Sequence, residues 1–206
     1  ALVKREVVPA VGCTEPVAVA LAVARATELL GRTPENIKVS LSANVLKNAM
    51  GVGIPATGMI GLPIAIALGA LIGKSEYGLE VLKDVSPEAV LEGRKFIDEG
   101  RVQVALCQDA PSILHIDAEV SAGEDGARAI ISDTHTNFIR LESKGNVLLD
   151  ESCDGNTPDA EQQETCDPVL SLRTVWEYAT TSPIEEIRFI LEARRLNMAA
   201  ALTAMD

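Results

Sequence analysis

The sequence predicts an α+β fold: an antiparallel meander of about five strands packed by N- and C-terminal helices, with a buried apolar helix after a Gly/Pro loop. Three observations carry that expectation. Short alternating segments between residues 102 and 149 are punctuated by turn residues at 123–126 and 144–146. Helical patterns lie before and after this run rather than between its strands, which segregates helix from sheet. Residues 52–73 hold no charged side chain yet contain Gly53, Pro55, Gly58, Gly61, Pro63 and Gly69, so a tight loop precedes a helix that is apolar all round.

The elements follow in order. Behind Gly12-Cys13-Thr14-Glu15-Pro16, a segment rich in Ala, Val and Leu predicts a helix over 15–30. Thr14 is its expected N-cap, Glu15 suits the first turn, Pro16 lacks only an N–H that would be unpaired anyway, and Gly31 stops it. Ile37, Val39 and Leu41 alternate with Lys38, Ser40 and Ser42, which predicts a strand over 37–45 leading into Asn44-Val45-Leu46-Lys47-Asn48. A glycine-rich loop over 50–61 and the apolar helix over 62–73 come next. An amphipathic helix then starts at the N-cap Ser86, with Pro87 at its first position, and stops near Gly100. Strands are expected over 102–107, 113–120, 127–133, 137–143 and 147–149, followed by an acidic linker over 151–167. Residues 168–205 read as two helices, the second capped by Ser182 with Pro183 and Glu185 behind it. The blocks are thus 1–100, 101–150, 151–167 and 168–206, with no internal repeat. Residues 1–8 resemble the tail of a helix, and the Ala-rich pattern over 194–205 has no stop signal, which predicts a piece of a longer polypeptide.

Composition narrows the partners. Lys and Arg number 18 against 30 Asp and Glu, a net charge of −12 that repels phosphate backbones and anionic lipid surfaces, so neither nucleic acid nor membrane is expected. The run over 52–73 has roughly the length of a bilayer span, but its glycines and prolines and the lack of an aromatic belt argue for a buried helix instead. Four irregularly placed cysteines, 13, 107, 153 and 166, without a secretory leader predict a reduced, cytoplasmic protein. Cys153 and Cys166 have no CxxC pairing and no neighbouring histidine, a weak pattern for zinc or an iron-sulfur cluster. No metal ligand is assigned within this chain.

The residues that carry chemistry lie at element boundaries. A thiol at a helix N-terminus meets the positive end of the helix dipole, which lowers a cysteine pKa from about 8.5 and favours thiolate; the competing reading of Cys13 is a small buried hydrophobe. Asn44, Lys47 and Asn48, followed by the loop Pro55-Ala56-Thr57-Gly58-Met59 with open backbone N–H groups, form a candidate carboxylate-binding nest. An ordinary turn with a solvated lysine is the alternative. Thr134-His135-Thr136-Asn137 sits between two strands, with His135 either a contact residue or a hydrogen-bonded structural one; His115, on an alternating strand, is assigned to structure.

Taken together, six segments resemble a known family. Glu6-Val7-Val8-Pro9-Ala10-Val11-Gly12-Cys13-Thr14-Glu15-Pro16, Ser42-Ala43-Asn44-Val45-Leu46-Lys47-Asn48, Gly51-Val52-Gly53-Ile54-Pro55-Ala56-Thr57-Gly58-Met59, Gly78-Leu79-Glu80-Val81-Leu82-Lys83, His135-Thr136-Asn137 and Ile187-Arg188-Phe189-Ile190-Leu191 are similar in order and content to the iron-sulfur L-cysteine desulfidases, relatives of the alpha chain of iron-sulfur L-serine dehydratase. The resemblance implies an α,β-elimination of L-cysteine to pyruvate, ammonia and sulfide. A [4Fe-4S] cluster acts as Lewis acid in the full-length protein and the cysteine of the GCTEP segment acts as base, which makes Cys13 the candidate catalytic residue. Lys47, Asn48, Thr57, Gly58, Asn137 and His135 are candidate substrate contacts by their polarity.

Family members are about twice as long, with cluster cysteines in a helical C-terminal half to which Cys107, Cys153 and Cys166 do not correspond. The chain therefore reads as an N-terminal half that docks its own missing C-terminal half, with a homo-oligomer left open. Alone it is expected to bind no cluster and to be inactive. Ala56 stands where the family has glycine. Two other readings stay open: L-serine dehydratase-like elimination on the same scaffold, and a non-catalytic domain that binds a small carboxylate or amino acid.

Overall fold

The computed structural model describes residues 7–151 and 171–205. The chain divides into two compact units, residues 10–157 and residues 1–9 together with 158–206. The larger begins with helix α1 (Thr14–Leu30), strand β1 (Asn36–Leu41), the short helix α2 (Ala43–Ala49), and a small ladder of β2 (Gly53–Ile54) and β3 (Met59–Ile60). Helix α3 (Leu62–Ile72), a 3₁₀ segment (Ser75–Glu80) and helix α4 (Pro87–Asp98) follow. Strands β4 (Val102–Leu106), β5 (His115–Ala122), β6 (Asp125–Ser132), β7 (Phe138–Ser143) and β8 (Asn146–Asp150) complete it.

The main sheet is six-stranded, in the order β4-β1-β5-β6-β7-β8. From β5 to β8 each neighbour is antiparallel, so four of the five expected strands form the meander while β4 pairs with β1 instead, and the fold is α+β. β1 lies inside the sheet, parallel to β4 with Ile37 opposite Val102 and antiparallel to β5 with Ile37 opposite Val120. Its Ile37, Val39 and Leu41 point inward and are buried, which two flanking strands and a helix layer together achieve. On β5 and β6 the same alternation buries Ile116, Ala118, Val120, Ala129 and Ile131 on the inner face. It leaves Asp117, Glu119 and Arg128 on the outer one, where Arg128 holds Asp117 through two hydrogen bonds of 2.8 and 2.7 Å. Asp117 so paired raises the Arg128 pKa further above its ordinary value.

Helix α1 packs on β5, β6 and β7 with one side and on α3 with the other. A helix enclosed on all sides needs small residues where its neighbour crosses. A Cβ on Gly69 would stand 2.5 Å from the Ala20 carbonyl oxygen, and one on Gly73 would stand 2.7 Å from Ala24 Cβ. The alanine-rich α1 and the glycine-bearing α3 thus meet nearly backbone to backbone, and close packing of this kind is where dispersion is densest. α4 covers α3 through Gly93, where a Cβ would stand 2.9 Å from Ile64 Cδ1, and through buried Phe96, with the Arg101 guanidinium stacked 3.7 Å above its ring. Burying a side chain of that size contributes roughly 1.5–3 kcal/mol.

Several boundaries differ from the expectation. Helix α1 starts at Thr14 with Cys13, not Thr14, in the N-cap position. Gly31 stops it in the left-handed conformation, φ 79°, as expected. The strand over 37–45 ends at Leu41 because Ser42 caps a new helix, its Oγ accepting the Val45 N–H. Asn44, Lys47 and Asn48 therefore stand on α2 rather than at a strand end. Ser86 caps α4 as predicted, accepting the Ala89 N–H. Lys144 and Gly145 form a turn with both φ values positive, 50° and 79°, as a tight hairpin between right-twisted strands requires.

The smaller unit contains α5 (Leu172–Thr181), α6 (Ile184–Ile187) and α7 (Ile190–Met205), three helices in place of the expected two. Ser171 and Thr174 make a capping box at the start of α5. Ser182 ends that helix by donating its N–H to Tyr178 O, so the predicted cap is a terminator. The linker with Cys153 and Cys166, and the segment 1–6, lie outside the described residues. Among the described residues no helix is long and apolar enough to cross a membrane.

Candidate functional site

Three segments converge on the N-terminus of α1. The chain reaches it pinned by a hydrogen bond from Val11 N–H to Leu79 O of the 3₁₀ segment, and turns at Gly12 with φ +85°. The N-cap is Cys13, with extended backbone and no side-chain bond to the helix N–H groups. Its thiol instead donates to Glu15 Oε2 at 3.0 Å, and Thr14 Oγ1 donates to the same oxygen at 3.3 Å. From α2, Asn48 Nδ2 donates to Glu15 Oε1 at 3.1 Å. Asn44 and Asn48, one turn apart, share a face of α2 because residues at i and i+4 are neighbours on a helix.

The electrostatics correct the sequence expectation. Partial burial is the largest influence on Cys13, followed by its hydrogen bond to Glu15, and together they raise the thiol pKa; backbone N–H groups at the helix start oppose this only in part. Glu15 is held below the ordinary carboxylate range, first by the thiol donor and then by a backbone N–H, the Asn48 amide and the Thr14 hydroxyl, against partial burial. The helix terminus therefore stabilises Glu15 as the anion, and Cys13 stays a thiol beside it.

Glu15 also lines an open cleft of about 510 Å³ with Asn44, Val45, Ser112, Ile113, Leu114, Asp133 and His135. The loop carrying Asp133 and His135 sits against residue 114 through a bond from Asp133 N–H to Leu114 O, and Asp133 adopts φ +69°. Ser42 ties this region to the sheet: its Oγ donates to Ile113 O at 2.7 Å and accepts the His115 N–H at 3.3 Å. His115 is buried, its Nδ1 has no hydrogen-bond partner, and burial holds its pKa below the ordinary value. A larger groove of about 610 Å³ on the outer face of the sheet, around Arg128 and Glu142, is lined by none of the predicted site residues.

The structure brings together some predicted residues and releases others. Cys13, Asn48 and, through the cleft, His135 share one neighbourhood with Glu15. Lys47 is exposed on α2 and does not line the cleft. Thr57 is consumed by its own turn: its hydroxyl donates to Ile54 O at 2.7 Å and accepts Met59 N–H at 3.0 Å, while its N–H bonds Ile54 O at 3.2 Å. The expected nest of free N–H groups at Thr57-Gly58 is thus closed on the Thr57 side, and Gly58 serves a positive φ of 63°. Asn137 likewise closes a turn, donating its amide to Ser132 O at 3.2 Å. The hairpin's contribution to the site is steric: Pro55 packs on Gly12. Sequence reasoning missed the part played by Glu15, whose signal was its position two residues after Cys13, and missed Ser112 and Asp133, which carry no local motif. Among the described residues no group of three His, Cys, Asp or Glu side chains is placed to hold a metal ion.

Cys13 thus stands at the mouth of a helix in an α+β scaffold, bonded to Glu15, which lines a polar cleft. The chain is similar to proteins called UPF0597 protein in several bacteria. It is 58% identical over 201 residues to that of Phocaeicola vulgatus, covering 98% of this chain and 46% of the relative. It is 54% identical over 200 residues to that of Bacteroides thetaiotaomicron, covering 97% of this chain and 46% of the relative. To that of Porphyromonas gingivalis it is 47% identical over 206 residues, 99% of this chain and 48% of the relative. The chain thus spans about half the length of the curated relatives it matches. No protein-family model matches it, and no solved structure does.

Proposed function

We propose that this chain carries the proton-abstracting half of a cytoplasmic lyase similar to the iron-sulfur L-cysteine desulfidases, which eliminates sulfide from L-cysteine. The name its relatives bear describes no reaction; the reading rests on the resemblance of the Gly12–Pro16 segment and its companion segments to that family, together with the geometry around Cys13. The observation that carries it is the Cys13-Glu15-Asn48 cluster, whose Glu15 lines an open polar cleft of about 510 Å³. α,β-Elimination breaks the Cα–H and Cβ–S bonds and leaves 2-aminoacrylate, which water converts to pyruvate and ammonia. A base must stand over the α-carbon, and a thiolate at Cys13 is the group assigned to that proton. Asn44 and His135 face the same cleft and orient the substrate.

A [4Fe-4S] cluster, which in such enzymes supplies a Lewis acid, does not fit the described residues: Cys13 and Cys107 are the free cysteines among them, and no ligand trio exists there. In a polypeptide of the relatives' length, cluster ligands fall to the part that this chain does not span, and docking of that part is included in the proposal.

One observation favours a non-catalytic amino-acid-binding reading, the thiol that Glu15 keeps protonated. The deciding experiment is an assay of sulfide and 2-oxo acid production by a polypeptide of the relatives' full length bearing this sequence, purified anaerobically, with L-cysteine and L-serine. The proposal expects sulfide and pyruvate from L-cysteine, and loss of at least 100-fold in kcat/KM, about the contribution of one positioned base, on Cys13→Ala. Turnover of L-serine alone would move the assignment to a dehydratase; turnover of neither would overturn the lyase reading.

A further inference from the structure

Glu15 belongs to two neighbourhoods at once. Its Oε2 accepts the Cys13 thiol and its Oε1 accepts the Asn48 amide, while the same side chain borders the cleft with Asn44, Asp133 and His135. A thiol bonded to a carboxylate is poorly set up to be a base. Ionising it would place two negative charges 3.0 Å apart, an arrangement in which one group keeps its proton. The cleft lining contains two carboxylates, Glu15 and Asp133, and no Lys or Arg. Lys47, one position before Asn48, is exposed and outside the lining. What the cleft presents to an arriving molecule is therefore negative charge, complementary to an ammonium group.

Resting on the reading that this cleft receives an amino acid, we infer that Glu15 is a substrate-operated latch: it keeps Cys13 as a thiol in the resting protein and frees it when an ammonium group pairs with the carboxylate. The ammonium replaces the thiol proton as partner of Oε2, and the sulfur proton leaves to water. One positive charge arrives as one proton departs, so the charge around the carboxylate is balanced throughout. Asn48 is the positioning residue. By holding Oε1 it turns Oε2 toward the thiol, and it adds no charge of its own. Asp133 and His135, which line the same cleft, share the cation. The latch has a chemical use, because a thiolate exposed in an open cleft is the form that oxidises and alkylates, whereas a thiol made reactive only by substrate does neither at rest.

The test is the pH dependence of Cys13 alkylation by iodoacetamide in the 206-residue chain, read by mass spectrometry of the peptide that contains it. The resting chain should show a midpoint above that of an unfolded control peptide. Saturating L-serine, which bears an ammonium but no thiol, should lower the midpoint by about one pH unit, the size expected for neutralising one adjacent charge. L-Lactate, a hydroxy acid of similar size that has the carboxylate but no ammonium, should leave it in place. Glu15→Gln, with folding verified by far-UV circular dichroism, should lower the midpoint without ligand and abolish the response to L-serine. A midpoint that L-serine does not move, or that L-lactate moves equally, overturns the latch, and neither arm depends on a variant folding. The outcomes also separate this inference from the lyase reading. Turnover by the full-length polypeptide without the alkylation response removes the latch alone. The response without turnover leaves an amino-acid-operated thiol and removes the lyase.

Discussion

Gly12 runs so close to Pro55 that a Cβ at residue 12 would stand 2.8 Å from Pro55 Cγ. The glycine is also in the left-handed region, φ +85°, where an L side chain is strained. Gly12→Ala is expected to cost about 1–3 kcal/mol, seen as a lower urea midpoint at unchanged slope. It should also alter Cys13 alkylation, because the added methyl would push the hairpin away from the helix N-cap.

Ala56 is the reverse case. It occupies φ +61° in an exposed turn, a conformation that glycine adopts freely. Ala56→Gly is expected to stabilise the fold by roughly 0.5–1 kcal/mol, the gain from relieved backbone strain exceeding the added freedom of the unfolded chain. A melting temperature at or below that of the parent would contradict this.

The α1–α3 contact makes a third prediction. A methyl on Gly69 would meet the Ala20 carbonyl oxygen at 2.5 Å, with backbone on both sides and no flexible side chain to move away. Gly69→Ala should destabilise by about 1–3 kcal/mol or more despite the better helix propensity of alanine. The same change at Gly51, where nothing lies within 4 Å and φ is not positive, should be nearly neutral.

His115 gives the fold a pH dependence of defined sign. Burial holds its folded pKa below the ordinary value of 6.5, so the unfolded chain takes up the proton first. The stability it contributes is full above 6.5 and is lost as pH falls through that value toward the lowered folded pKa. Urea midpoints measured from pH 7.5 to pH 5 should therefore fall less steeply in His115→Leu than in the parent.

How much of this was legible beforehand depends on how far apart the determining residues lie. Helix α1, the cap at Ser86, the Lys144-Gly145 turn and the apolar α3 were all set by residues within one turn of each other. The interior place of β1 was not, since it depends on pairing with residues 102–106 and 115–122, far along the chain. Ser42 misled for a related reason: alternation continues through it, yet its hydroxyl is engaged by Val45, Ile113 and His115, which ends the strand. In the site, Cys13 and Asn48 can be named from sequence, but the partner that joins them, Glu15, carries only the signal of a first-turn acidic residue. Its hydrogen bond to Asn48 crosses between helices, and no local pattern encodes it. The opposite error occurred at Thr57 and Asn137, where polar side chains that looked available are occupied by their own turns.

Arg128 and Asp117 supply a fifth prediction. Their two-bond pairing lies on the outer sheet face, with Asp117 13% exposed. Arg128→Ala should cost about 1–3 kcal/mol, since it strands a largely buried carboxylate, and added salt should recover little of it. Unchanged stability would show that the pair is surface decoration.

The strand order also fixes the schedule on which the chain becomes safe from aggregation. β1 cannot acquire either neighbour until residues 102–106 and 115–122 exist, and α1, buried along most of its length in the finished fold, has its sheet partners β5, β6 and β7 still later in the sequence. A ribosome that has made the first hundred residues therefore holds an apolar helix pair without a sheet to cover it. Synthesis halted before residue 115 should yield an insoluble or chaperone-bound product, and protection is complete only once β5, β6 and β7 have joined the sheet over α1.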